Sequence, residues 1–88
     1  MEHLIVTCVQ LALAKEMEEG PGVVIVEGDQ IGFVKREEIA PLEFQEKMLA
    51  MIDGDNNNHI FVVHKDNLNL HVSKIVRPPL QEQLQITQ

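Results

Sequence analysis

Two stretches of this chain carry nearly the same alternation of apolar and polar positions. From Gly22 the sequence runs GVVIVEGDQIGFVKREEI, and from His59 it runs HIFVVHKDNLNLHVSKIV. Each begins with β-branched or aromatic residues, Val23-Val24-Ile25-Val26 in one and Ile60-Phe61-Val62-Val63 in the other. Such residues suit a pleated, half-buried surface. Turn chemistry follows at Asp29-Gln30 and at Lys65-Asp66-Asn67, because Asp and Asn bond their own backbone and tolerate left-handed geometry. A second arm then alternates: Ile31-Gly32-Phe33 matches Leu68-Asn69-Leu70, and Val72 continues the period of two. The two patterns align at a shift of 37 positions. Both predict β-hairpins.

A helix-like segment precedes each hairpin. In the first, Met1 to Glu19, Val6, Val9, Leu13 and Met17 share one helical stripe, and Cys8, Leu11 and Ala12 widen it. LALAKEME consists of strong helix formers, and Gly20-Pro21-Gly22 stops the run. So broad a stripe implies burial on more than one side. The second segment runs from Pro41 to Ile52, with Pro at the first helical position, Glu43 in the first turn and Gly54 as the C-terminal cap. Phe44, Met48, Leu49 and Ile52 form its core face. The predicted order is αββαββ: an α+β fold in which two αββ units form a four-stranded antiparallel sheet with two helices on one face. That order is compatible with a circularly permuted ferredoxin-like sheet. Residues 1–76 make the domain, and residues 77–88 a Pro/Gln-rich tail, either a frayed end or an arm that docks on a second copy.

With both helices on one face, alternation sends Val24, Val26, Ile31, Phe33, Phe61, Val63, Leu68, Leu70 and Val72 toward them. The outer face then holds Val23, Ile25, Val34, Ile60, Val62 and Ile75, mixed with His64, Asn69, His71 and Ser73. A wet sheet face is normally polar, and an apolar patch this broad marks an interaction surface. Val23, Ile25, Val34, Ile60, Val62, His64, His71 and Ile75 are therefore the predicted interface, for a homodimer or another protein.

Composition narrows the choice. Eighty-eight residues make one small domain, and without Trp or Tyr the core must be aliphatic. The single Cys8 lies in an apolar run and reads as a buried thiol. The formal charge is −7; residues 1–58 hold twelve acidic against four basic side chains, residues 59–88 two against three. That balance excludes direct nucleic-acid binding, which needs phosphate-neutralising charge and stacking rings. It admits an acidic decoy that presents carboxylates in place of phosphates to a nucleic-acid-binding protein. No basic leader or apolar run of membrane-spanning length is seen, and a cytoplasmic location without membrane contact is expected.

Ile52-Asp53-Gly54-Asp55-Asn56-Asn57-Asn58-His59-Ile60, following the second helix, carries oxygen-bearing residues at every second position. It resembles the first two-thirds of an EF-hand calcium loop. The resemblance implies ligands from Asp53, Asp55 and Asn57, with the His59 carbonyl beside them and Ile60 at the apolar position. It covers about nine residues and departs twice: Asn58 stands where the family has Gly, and His64 where it has the bidentate Glu. The same residues also make an ordinary polar helix-to-strand loop, which the lost ligand charge favours. His64 and His71, on neighbouring strands, offer zinc two ligands of the four a structural site uses. No phosphate loop or nucleophile elbow is present, and no resident cofactor is expected. The expectation is a small, non-enzymatic protein-binding module, regulatory, adaptor or inhibitor, and homodimeric. The acidic decoy and a weak divalent-metal binder are the alternatives.

Overall fold

A computed structural model describes residues 2–67 and 69–79 of the chain. Helix α1 spans Glu2–Glu19, strands β1 Gly22–Glu27 and β2 Gln30–Lys35. Two 3₁₀ turns, Arg36–Glu38 and Pro41–Glu43, lead into helix α2, Glu46–Asp53, and strands β3 His59–Asp66 and β4 Asn69–Val76 complete the fold. It is α+β with a four-stranded mixed sheet in the order β2-β1-β3-β4. Both hairpins are antiparallel, but β1 and β3 pair in parallel at the centre, Val24 opposite Val62. The expected all-antiparallel sheet is thus corrected, and with it the ferredoxin-like comparison.

The faces are corrected too. Val24, Val26, Ile60 and Val62 pack with Cys8, Val9, Ala12 and Leu13 of α1 on one side of the sheet. Val23, Phe61 and Val63 pack with Ile39 and Phe44 on the other, where Met48, Leu49 and Ile52 of α2 join them. The helices therefore cover opposite faces. Aligning the hairpins at a shift of 37 put Val24 beside Phe61, whereas the sheet sets it beside Val62. A slip of one residue between neighbouring strands exchanges every side chain between faces. Of the predicted interface, Val23, Ile60 and Val62 are 1 %, 2 % and 2 % exposed and lie inside the two cores.

Local chemistry explains the elements. The small Cys8 and Ala12 let α1 lie close on the sheet, and the buried stripe is Cys8, Val9, Ala12 and Leu13, leaving Val6 and Met17 exposed. Gly20 ends the helix at φ +93, its N–H donating to the Glu16 carbonyl at 3.0 Å, the left-handed stop for which glycine is favoured. Gly22 is also required, because a Cβ there would collide with the Val34 carbonyl and the Phe33 ring. The second helix starts later than expected. Phe44 is extended, φ −131 and ψ 146, and splits Pro41–Glu43 from α2. That kink drives the Phe44 ring into the core. Leu68 and residues 80–88, the bulk of the predicted tail, lie outside the described residues.

Candidate functional site

Four segments meet at one end of the sheet: the close of α1, the foot shared by β1 and β2, the loop from α2 to β3, and the exit from β4. They enclose a cleft of about 240 Å³ whose walls include Glu16, Gly22, Arg36, Asp53, His59 and Arg77. Arg77 Nη1 and Nη2 donate to the two carboxylate oxygens of Glu16 at 3.0 and 2.5 Å. Arg36 Nε and Nη2 donate to those of Asp53 at 2.6 Å each. Bidentate pairs of this kind are geometrically specific and stronger than neutral hydrogen bonds. Backbone bonds tighten both: Arg36 N–H to the Pro21 carbonyl at 2.8 Å, and Arg77 N–H to the Asn58 carbonyl at 3.2 Å. The hydrogen bonds with Arg36 hold the Asp53 carboxyl below its ordinary value, against a smaller opposing effect of burial.

Sequence reasoning did not find these pairs. Arg36 reads as part of a solvated charge cluster and Arg77 as the start of a tail. Their partners stand 17 and 61 positions away, and no local pattern signals such pairing. Each guanidinium is already matched by a carboxylate, so the cleft is close to neutral. It holds no cysteine or serine among its walls. Arg77 ties the exit of β4 to α1, and Arg36 ties the foot of β2 to the end of α2.

The Asp53 loop performs a related task. Asp55 accepts from the His59 backbone N–H and faces His59 Nδ1, both at 2.8 Å. Burial alone would raise the Asp55 carboxyl, but these bonds and one from Asn58 N–H bring it below its ordinary value. Asn56 and Asn57, at φ 59 and 65, make the left-handed bend, not Asn58 or Gly54. Asp53 and Asp55 thus turn to Arg36 and His59. Among the described residues, no three His, Cys, Asp or Glu side chains cluster to hold a metal.

The predicted interface residues fall in two groups. Val23, Ile25 and Val34 belong to the face under α2, and Ile60, Val62, His64, His71 and Ile75 to the face under α1. On the latter, α1 lies over β1, β2 and β3; His71 is exposed and Ser73 and Ile75 half-buried on β4, with His64 half-buried beside them on β3. His64 and His71 stand opposite each other, their rings stacked 4.6 Å apart and 11° from parallel. Burial first, and the neighbouring His71 second, hold His64 below the ordinary imidazole value.

The two sheet edges differ. Among the described residues β2 and β4 each pair with one strand only. β2 is six residues long, ends in Lys35 and stands in a mostly acidic stretch of sequence, with Glu27, Asp29, Glu37 and Glu38 around Arg36. β4 is eight residues long, pairs with β3 without a bulge, and has Lys74 as its only charge. Exposed Val76 ends it, sharing a shallow apolar hollow with Ile5, Val6 and Val9 of α1. No helix among the described residues is long and apolar enough to cross a membrane. No protein-family model, curated protein or solved structure matches the chain.

Proposed function

We propose that this chain is a small protein-binding module that works as a homodimer, two copies joining antiparallel along the outer edge of β4. The observation that carries the reading is that long, regular and almost uncharged edge. A row of unpaired backbone N–H and C=O groups is a template for another strand, and proteins usually guard it with charge, proline or a bulge. β2 is guarded by its acidic surroundings; β4 is not. A second copy fits for an electrostatic reason. Residues 1–58 carry twelve acidic and four basic side chains and repel their like, whereas residues 59–88 carry two and three. Two copies therefore approach most favourably through the β3–β4 side. Val76, Ile5 and Val6 extend the edge with apolar surface.

We also infer that the chain is one αββ unit used twice. Both halves have the same element order, and each helix covers the face to which its own hairpin sends Val24 and Val26, or Phe61 and Val63. The last ladder pairs before the turns, Glu27↔Gln30 and Asp66↔Asn69, stand 39 positions apart. A two-fold axis along the strands, between β1 and β3, would relate halves arranged in this way.

Sedimentation equilibrium with hydrogen exchange on β4 tests the dimer. The expected result is a dimeric mass, with protection of the β4 amides that point away from β3 as well as those that point toward it. Ser73 lies near the middle of β4, so Ser73→Lys would set like charges close across the two-fold axis, and a folded monomer should result. A wild-type monomer at several hundred micromolar with unprotected outer amides would refute the proposal.

A further inference from the structure

The pair His64–His71 stands apart from the two arginine clamps, and its geometry has a use of its own. Two imidazoles stand in direct cross-strand register at the β3–β4 side of the face under α1, His71 exposed and His64 half-buried. We propose that His64 and His71 form a two-histidine chelate for a divalent late transition metal such as zinc, with water filling the remaining positions.

Imidazole nitrogen suits Zn(II), Ni(II) and Cu(II), whereas the oxygen-seeking Ca(II) and Mg(II) would gain little here. A zinc–nitrogen bond is about 2.0–2.1 Å, so two nitrogens sharing one ion stand about 3–4 Å apart. The rings are 4.6 Å apart and 11° from parallel, so their lone pairs run side by side, and both rings must turn about their side-chain bonds before two nitrogens converge on one ion. His64 is also oriented in the manner of a ligand. Its Nε2 lies 3.1 Å from Ser73 Oγ; with Nε2–H donating to the hydroxyl, Nδ1 keeps its lone pair for the metal. A hydrogen bond on the second nitrogen is the usual support of a metal-bound imidazole. The rings are stacked, and among the described residues neither is bonded to a carboxylate that binding would displace.

The pair does not depend on self-association, since both histidines belong to one chain. Zinc chloride is the probe, and the readout is the histidine ring resonances of the full chain as zinc is added. His64 and His71 rings should shift together and saturate at one ion per chain. His59, whose Nδ1 is occupied by Asp55, should not follow them. In His71→Asn, the exposed partner removed, the His64 response should need roughly tenfold or more zinc, the scale on which even supporting groups alter metal affinity. His64→Asn should do the same to His71, and unchanged amide spectra of β1 and β2 report that either variant is folded. No movement of either ring at millimolar zinc overturns the proposal. So does a response shared equally by His59, or one unaltered in His71→Asn.

Discussion

The two faces of the sheet are covered in unlike ways. On one, a single regular helix of eighteen residues buries Cys8, Val9, Ala12 and Leu13. On the other, α2 has eight residues and none fully buried; Ile39 and Phe44, from the irregular run before it, fill the core. Each cover is also fastened by one arginine, but the fastenings differ. The Arg77–Glu16 pair holding α1 has side chains 22 % and 19 % exposed, while those of the Arg36–Asp53 pair holding α2 are 35 % and 52 % exposed. A regular helix spreads its hold over four buried side chains. A short helix depends on Ile39 and the Phe44 ring beside it.

The largest effect should come from removing that ring. Phe44→Ala is expected to cost about 3–5 kcal/mol, against about 2–5 for Leu13→Ala on the opposite face. A small domain has about 5–15 kcal/mol in total, so the manner of failure separates the two better than the magnitude. Hydrogen exchange should show α2 amides losing protection in Phe44→Ala while α1 amides keep theirs, because α2 has no fully buried side chain of its own. Leu13→Ala should lower protection throughout. Uniform loss in both variants would mean that the two covers are one cooperative unit.

The arginines come next. Arg77→Ala leaves the Glu16 carboxylate largely enclosed without its partner, and about 1–3 kcal/mol is expected, the cost of stranding a poorly solvated group. Arg36→Ala exposes a carboxylate that is already half in water, and about 0–1 kcal/mol is expected. Urea denaturation of both variants checks the order. Equal losses would erase the distinction between an inner and an outer clamp.

Much of this architecture was legible in the sequence, and what was not shares one cause. The hairpins, the α1 span and the burial of Cys8 follow from periodicity and composition, which are local. The relation between hairpins is not local. The shared face of Val24 and Val62 depends on a parallel pairing between strands 38 positions apart, and no residue pattern states it. A one-residue difference in that register turned two buried faces into one buried and one apparently open. The same holds for the clamps. Phe44 was correctly placed in the core but misread as helical, since an aromatic at helical spacing looks the same whether the backbone is coiled or extended. In the Asp53 loop the residue types were right for a polar turn, and only their geometry decided that Asp55 serves His59.

Acid should distinguish the faces more gently. The Asp53 carboxyl lies below its unfolded value of about 3.9 because Arg36 bonds the charged form. The stabilisation is fully present above that unfolded value and is lost as pH falls through the lower folded one. With both groups well exposed it should amount to about 1 kcal/mol at most. Thermal denaturation between pH 5 and pH 2, compared with Asp53→Asn, should show a shallower acid limb in the variant. Identical limbs would mean that the outer clamp holds α2 by geometry without contributing charge stabilisation.

The smallest effect belongs to the face under α1. Burial and His71 hold His64 below an unfolded imidazole value of about 6.5. The unfolded chain therefore takes up a proton in a pH range where the folded chain does not, and stability rises with pH there. Above about 6.5 both states are neutral and no penalty exists; the penalty grows as pH falls toward the lower folded value and is constant beneath it. His71 faces His64 directly, so His71→Asn should lessen the slope but not abolish it, burial being the larger cause. His64→Asn should remove this contribution. Urea midpoints measured from pH 7.5 to pH 5 would show the order, and an unchanged slope in His64→Asn would place the titrating group elsewhere on the molecule.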